Sequence, residues 1–320
     1  MTTPESRSWA YGSGGQLRAV WRIAAFASVY FLAQGIVSAI AEPVFSFASS
    51  KAGGVLSPSE LMIALYTLAA VGFVLRNVDS LPWKSVGLDT ASWQFSKLAN
   101  GATLGVLAIA ATCALLFLFG NLQFERDTMS TFLSGDAPGN SATTAWLLST
   151  LRISLLLAPA AFSEELIFRG YLWRVCDDSA NPTVALGVTS VLFGLTHLPN
   201  PGADALAIAN VILAGLALGI VRQRTGSLPA AWAAHFAWNW VMAAALHVPV
   251  SGLALATPGY RTIVRGPTWI SGGTWGPEGG LVAALVLIAL AAFGLRHTSF
   301  EKQTDNFNQG RFRRSANGAH

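Results

Sequence analysis

The sequence predicts an all-α membrane protein, a polytopic bundle of about eight transmembrane helices with both termini in the cytoplasm. The first observation is compositional: of 320 residues, 52% are hydrophobic and only 11% are charged, whereas soluble domains carry about 25% charged residues. The second is that apolar stretches near the roughly 20 residues needed to span a bilayer recur along the chain. The third is that, when these stretches alternate in direction, most of the 20 lysines and arginines fall on one side, as the positive-inside rule requires.

Each apolar stretch is predicted to form one helix. In chain order the predicted helices are 17–41, 61–75, 98–119, 145–173, 182–198, 203–221, 228–246 and 280–295. The first is too long for the apolar core of a signal peptide, so we expect it to remain as a membrane helix.

The segments outside the helices are polar. Residues 1–16 are predicted to form a flexible tail, 17–296 a single membrane domain whose motifs lie within about 145–246, and 297–320 a disordered basic tail. The outer loop 248–279 is rich in glycine and proline and long enough to fold over the bundle. The chain is therefore predicted to be one integral, multi-pass domain, placed in a bacterial-type cytoplasmic membrane.

The composition also excludes several classes of protein. The apolar content is too high for a disordered or collagen-like chain, and the basic residues are too scattered for a nucleic-acid-binding protein. Cys113 and Cys176 form neither a disulfide framework nor a CxxC metal knuckle. Gly215 and Gly219, four residues apart, predict close packing against another helix of the same bundle; the oligomeric state is left open.

The fourth predicted helix carries charges where charge is costly. Glu165 and Arg169 lie four residues apart, share a helical face and can pair. Glu164 points about 100° away from that face and has no local partner. Glu165 is therefore predicted to be structural and Glu164 to be free for chemistry, and the alternative is that all three simply mark the cytoplasmic end of the helix.

Two further motifs add polar groups to apolar helices. Phe193 and His197 share a face at the end of the fifth predicted helix, and His235 and Asn239 share a face on the seventh. The alternatives are a hydrogen-bonded interfacial histidine and a polar contact between helices. If the three helices meet at middle depth, a carboxylate, two imidazoles and an amide would share one cavity, where they can activate water and stabilise an oxyanion.

The motifs EExxFRG from Glu164 to Gly170, FxxxH from Phe193 to His197 and HxxxN from His235 to Asn239 stand in this order along the chain. This combination resembles the CPBP family of intramembrane proteases, which includes the type II CAAX prenyl endopeptidases. The resemblance covers about a third of the chain.

The resemblance implies a role for each residue. Glu164 would be the general base for the attacking water, with His197 beside it. His235 and Asn239 would bind the oxyanion, and Glu165 and Arg169 would be the supporting pair. No GxSxG elbow is present for a nucleophilic serine.

The need for a metal is a separate question. No HExxH motif occurs, but Glu164, His197 and His235 would provide the three ligands of a catalytic zinc site. Members of the family are often labelled metalloproteases, although the CAAX-processing members resemble glutamate-dependent hydrolases. We favour catalysis that requires no cofactor, with zinc as the alternative.

The sequence thus predicts an intramembrane endopeptidase that hydrolyses a membrane-associated peptide or protein, with the lipid bilayer as its other partner. The resemblance leaves open whether the substrate is prenylated and whether the role is maturation or self-immunity. Two other classes stay as alternatives: a proton-coupled transporter, in which Glu164 and the histidines form a relay, and a non-catalytic scaffold. No inverted repeat typical of many transporters is visible.

Overall fold

The structure is a computed structural model of the whole chain. It describes residues 9–12, 15–51, 59–126, 142–255 and 260–296. The predicted tail 297–320 and most of the predicted tail 1–16 lie outside the described residues.

The described residues fold mainly as helices, and every stretch predicted to be helical contains one. The helices are α1 Ala19–Lys51, α2 Ser59–Asn77, α3 Phe95–Leu118, α4 Ala142–Glu165, α5 Trp173–Ser179, α6 Pro182–Leu195, α7 Ala205–Thr225, α8 Leu228–Trp240, the short α9 Thr268–Ser271 and α10 Leu281–Arg296. Short 3₁₀ turns occupy Trp83–Val86, Thr90–Trp93, Gly273–Trp275 and Pro277–Gly279.

Five of the described helices are long and apolar enough to cross a membrane. They are Ala19–Ala41, Ser59–Asn77, Phe95–Leu118, Thr143–Ser179 and Ala205–Thr225. Pro182–Leu195 and Leu281–Leu295 are apolar but shorter. The count of eight spans and the cytoplasmic placement of the termini therefore stay predictions.

The fourth predicted helix differs from a regular α-helix. Between α4 and α5 the chain forms a π-helical segment, Leu166–Leu172, without leaving the helix axis. A second π-helical segment, Val241–Ala245, extends α8. Such π-helical turns are rare and frequently occur at functional sites; here the first one contains Arg169 and Gly170.

The sequence predicts an all-α fold, but the described residues are mostly and not purely helical. Leu122–Arg126 (β1) pairs antiparallel with Tyr260–Val264 (β2) in a two-stranded sheet. The pairing is stabilised by cross-strand side chains, because Phe124 packs edge-on to Tyr260 and Glu125 accepts hydrogen bonds from Arg261. Alternation over five residues is too short a signal to separate a strand from a loop in a chain this apolar.

Helices α3 and α8 approach each other closely through two glycines. A Cβ atom at Gly101 would lie 2.1 Å from the carbonyl oxygen of Ala230, and one at Gly105 would lie 2.1 Å from that of Ala234. Since no side chain fits there, the backbones themselves are in contact. This contact fixes the depth of α8, and therefore of His235, which follows Ala234.

We expect Gly105→Ala to push α3 away from α8, since the added methyl group overlaps a backbone carbonyl rather than a movable side chain. Overpacking of this kind costs about 1–3 kcal/mol. Thermal unfolding of the purified protein in nanodiscs measures the effect. Gly187→Ala on α6 is the matched control, because a Cβ there meets no atom within 4 Å; equal melting temperatures for the two variants would contradict this account.

The start of α8 is held by the segment that links α2 to α3. The Ser227 hydroxyl accepts a hydrogen bond from Ala230 N–H, which caps the helix, and donates one to the carbonyl oxygen of Ser92 at 2.6 Å. The backbone N–H of Leu228 donates to the carbonyl oxygen of Gly87 at 3.1 Å. Asp89 in turn caps the following 3₁₀ turn, and hydrogen bonds from Ser92 lower the pKa of its carboxyl group.

An ion-pair network joins three helices on the side where α2 and α5 end. Arg22 of α1 donates to Asp79 after α2 at 2.7 Å and to Asp178 of α5 at 3.2 Å. Arg174 pairs with the same Asp178 at 2.6 Å. These largely buried contacts connect α1, α2 and α5 just after the π-helical segment along the chain.

The close packing predicted for Gly215 and Gly219 is confirmed. Gly215 of α7 lies against the backbone of Ser190 on α6, and Gly219 lies against Leu186 of the same helix. The contact is within the chain, as predicted. It also leaves the carbonyl oxygen of Gly215 facing the centre of the bundle, where Arg169 reaches it.

Candidate active site

A fully buried ion pair lies at the centre of the bundle. Arg169 Nη1 donates to Glu165 Oε1 at 3.1 Å, and neither side chain is exposed. Arg169 Nη2 donates to the carbonyl oxygen of Gly215 at 3.1 Å, and the guanidinium carbon lies 4.2 Å from the ring centre of Phe193. The arginine therefore connects the π-helical segment to α6 and α7 at once.

His235 is held by the same carboxylate. Its Nδ1 lies 3.0 Å from Glu165 Oε1, and its ring packs edge-on against Phe193. Since a carboxylate only accepts hydrogen bonds, Nδ1 carries the proton in this contact. Glu165 thus fixes the orientation of the imidazole and directs Nε2 to the other side of the ring.

Glu164 lies on that other side. Its Oε2 is 3.8 Å from His235 Nε2, and its side chain is 38% exposed, whereas Glu165 is fully buried. The distance is too long for a direct hydrogen bond and close enough for both groups to contact one small molecule between them. The two adjacent glutamates therefore occupy different environments, one enclosed and paired and one accessible.

His197 lies just beyond the helix that was predicted to contain it. Helix α6 ends at Leu195 rather than Leu198, so His197 sits in the turn that follows. Its Nδ1 donates to the carbonyl oxygen of Phe193 at 2.9 Å, and its ring packs against the Phe193 ring. This bond leaves Nε2 free, and among the described residues no direct hydrogen bond joins His197 to Glu164.

One open cavity is lined by polar groups from α8 and from the turn that follows α6. His197, His235 and Asn239 all line it, on walls that are otherwise largely apolar. Phe193 lies at the centre of this group, because its ring contacts Arg169, His197 and His235. Glu164 is not among the residues that line the cavity; its Oε2 lies 3.8 Å from Nε2 of His235, which does line it.

The arrangement does not present a ready-made metal site. Within the described ranges, no three histidine, cysteine, aspartate or glutamate side chains converge as a ligand set would. In both histidines Nδ1 is engaged, by Glu165 in His235 and by the Phe193 carbonyl oxygen in His197, so Nε2 is the nitrogen left for a ligand. The zinc alternative stays a prediction.

Comparison with known families identifies the helices that carry this site. Residues 144–241 match the family model described as type II CAAX prenyl endopeptidase Rce1-like. The matched region is about a third of the chain. A search of curated proteins and a search of solved structures gave no significant match.

The matched region contains all six residues singled out in the sequence, and the match is consistent with the stated resemblance to the CPBP family. With the long apolar helices, the match describes an integral, multi-pass membrane protein. The same cavity also contains polar side chains that sequence reasoning missed: Asn210, Ser251 and Glu278. Asn210 had a detectable signal, an amide inside an apolar stretch; Ser251 and Glu278 had none, because polar residues are expected in a loop.

Proposed function

We propose that the protein is an intramembrane endopeptidase that hydrolyses a peptide bond of a membrane-associated peptide or protein with a water molecule activated by Glu164. The observation that carries this proposal is the contrast between the two adjacent glutamates. Glu165 is buried and orients His235, whereas Glu164 is accessible and lies 3.8 Å from the free nitrogen of that same imidazole.

Glu164 is the general base in this mechanism. An accessible carboxylate can accept a proton from a water molecule as the water attacks the scissile carbonyl carbon. His197 lines the cavity, its Nδ1 is held by the Phe193 carbonyl oxygen, and in this proposal its Nε2 assists by binding the same water molecule as Glu164.

His235 and Asn239 stabilise the oxyanion. Asn239 donates from its amide, and His235 donates from Nε2 when both of its nitrogens carry protons. The two residues lie one helical turn apart on α8 and line the same cavity. Glu165 and Arg169 contact no reacting atom in this scheme; they are positioning residues that hold His235.

The reaction needs no covalent acyl-enzyme. The water oxygen bonds to the carbonyl carbon, and Glu164 takes its proton. When the tetrahedral intermediate collapses, the carbon–nitrogen bond breaks and the leaving nitrogen receives that proton from Glu164. The products are a new carboxylate and a new amine.

The substrate reaches the cavity from the membrane or its surface. We propose that the chain crosses a bacterial cytoplasmic membrane eight times with both termini inside, in line with the bias of its basic residues. Five helices are long enough to span by themselves. The other three spans would be the shorter helices α6 and α10 and the π-extended α8.

Mass spectrometry of cleavage products tests the proposal. In one arm the purified protein in nanodiscs is incubated in ¹⁸O-water with internally quenched fluorescent peptides that carry a farnesylated or an unmodified cysteine before three further residues. In the other arm, membrane peptides from cells with and without the protein are compared. Direct hydrolysis predicts one ¹⁸O atom in the new carboxylate. Absence of any cleavage in both arms, together with proton-coupled uptake into vesicles, would favour the transporter instead.

We expect cleavage to persist after treatment with a zinc chelator and dialysis, since no three such donors converge among the residues that the structure describes. The measurement is the initial rate before and after chelation, with elemental analysis of the same active sample. Loss of activity that returns only on adding Zn²⁺ would contradict metal-independent catalysis.

A further inference from the structure

The loop between α8 and α10 places a second carboxylate in the cavity. Glu278 is 9% exposed and lines the same space as His197, His235 and Asn239. It lies outside the Rce1-like match, which ends at residue 241. Its position therefore depends on how the loop folds over the bundle.

Both oxygens of Glu278 accept hydrogen bonds from the protein. Oε1 accepts from the backbone N–H of Ser251 at 2.6 Å and from its hydroxyl at 2.8 Å, and Oε2 accepts from Trp238 Nε1 at 2.6 Å. N–H donors at both oxygens are what an ionised carboxylate requires. Trp238 precedes Asn239 on α8, so the carboxylate lies beside the helix that supplies the proposed oxyanion donors.

Among the described residues, Glu278 has no counter-ion. All of its donors are neutral, and no lysine or arginine of the described chain lies within ion-pair distance of it. Among the residues that line the cavity, none is a lysine or arginine. A carboxylate buried without an opposite charge is costly, and its cost falls when a cation binds next to it.

The loop holds Glu278 rigidly. The backbone of Gly276 has φ +107°, a conformation suited to glycine, and a Cβ there would lie 2.2 Å from the carbonyl oxygen of Pro249. Asn210 on α7 donates to the carbonyl oxygens of Glu278 and Gly280, both at 2.8 Å. The carboxylate is thus pre-positioned against the cavity rather than carried on a free loop.

We propose that Glu278 is a specificity-determining residue, which selects substrates that place a positively charged side chain, lysine or arginine, in the part of the cavity beside it. The inference rests on the proposed function, because it assigns a substrate class to the same cavity. It follows from a pre-positioned carboxylate without a described counter-ion, in a cavity lined by apolar and neutral polar side chains and by two histidines but by no lysine or arginine.

The test uses sets of quenched peptides in which one position at a time carries lysine, its uncharged analogue norleucine, or glutamate. Cleavage is measured with the wild type and with Glu278→Gln and Glu278→Asp. Binding of the same peptides is measured by fluorescence anisotropy to Glu164→Ala protein with and without Glu278→Gln, so that recognition is observed without cleavage. At one position we expect lysine to raise kcat/KM about tenfold over norleucine, glutamate to lower it, and Glu278→Gln to remove the difference.

Each outcome supports or overturns the inference. Retention of the lysine preference in Glu278→Asp and its loss in Glu278→Gln supports it, because a role limited to holding the loop would lower the rates for lysine and norleucine peptides alike. Equal rates and equal binding for lysine and norleucine at every position, which the wild type alone can show even if Glu278→Gln fails to fold, would overturn it. Charge-selective binding together with no cleavage by the wild type would refute the proposed function and support this inference. Cleavage by the wild type without charge selectivity would support the proposed function and overturn this inference.

Discussion

Replacing Glu164 with alanine is expected to lower the rate of peptide cleavage by about 10²- to 10⁴-fold, the usual contribution of a general base. The fold should survive, because the Glu164 side chain is 38% exposed and His235, which lies 3.8 Å from it, is held independently by Glu165. The measurement is kcat on a cleaved peptide, with thermal unfolding of the same preparation. Glu164→Gln should lose activity to a similar degree, since an amide has the size of the carboxylate and cannot take the proton.

The matched control is Glu125→Ala. This glutamate pairs with Arg261 on the exposed face of the two-stranded sheet, with 46% of its side chain exposed. We expect activity close to that of the wild type and a change in stability below about 1 kcal/mol. Wild-type turnover by folded Glu164→Ala protein would rule out the proposed role of this carboxylate.

The largest loss of stability is expected for Glu165→Ala, at about 3–5 kcal/mol, because it leaves the guanidinium of Arg169 buried without its partner. Arg169 is fully buried, and its Nε already lacks a hydrogen-bond acceptor among the described residues. The same change removes the acceptor for His235 Nδ1. The melting temperature in nanodiscs and kcat are therefore both expected to fall.

A double variant separates these two effects. Glu165→Leu combined with Arg169→Met replaces the buried pair with apolar side chains, and such replacements are often neutral or stabilising. We expect stability to recover and cleavage to stay low, because His235 is no longer oriented. Recovery of both stability and activity would show that the pair serves the fold alone.

The sequence was most informative where charge stands out against apolar residues. Glu164, Glu165 and Arg169 could be found because a charge inside a membrane helix is costly, and the spacing of Glu165 and Arg169 predicted their ion pair, which the structure contains. The helical stretches followed from hydropathy for the same reason. What the sequence could not show is that Glu165 also holds His235, 70 residues further along, since no local pattern encodes which helices become neighbours.

Other parts of the site depend on backbone geometry that hydropathy does not report. The π-helical segment at Leu166–Leu172 has the composition of an ordinary apolar helix. The contact of Gly105 with Ala234 requires that α3 and α8 be known neighbours. Glutamate is common in loops, and only the folded loop shows that the carboxylate of Glu278 is enclosed beside Trp238.

The π-helical segment also sets the rotational phase between the two halves of one long helix. Each residue of an α-helix turns the chain by about 100°. The extra residue of a π turn therefore changes the direction, around the helix axis, in which the preceding side chains point relative to the following ones. Removing one residue between Leu166 and Leu172 would preserve helicity and length almost unchanged. It would nevertheless turn both glutamates away from their present positions relative to α8, while the other end of the helix, with Arg174 and Asp178, stayed in place. The location of the two carboxylates is therefore encoded by the number of residues in this segment as much as by the glutamates themselves.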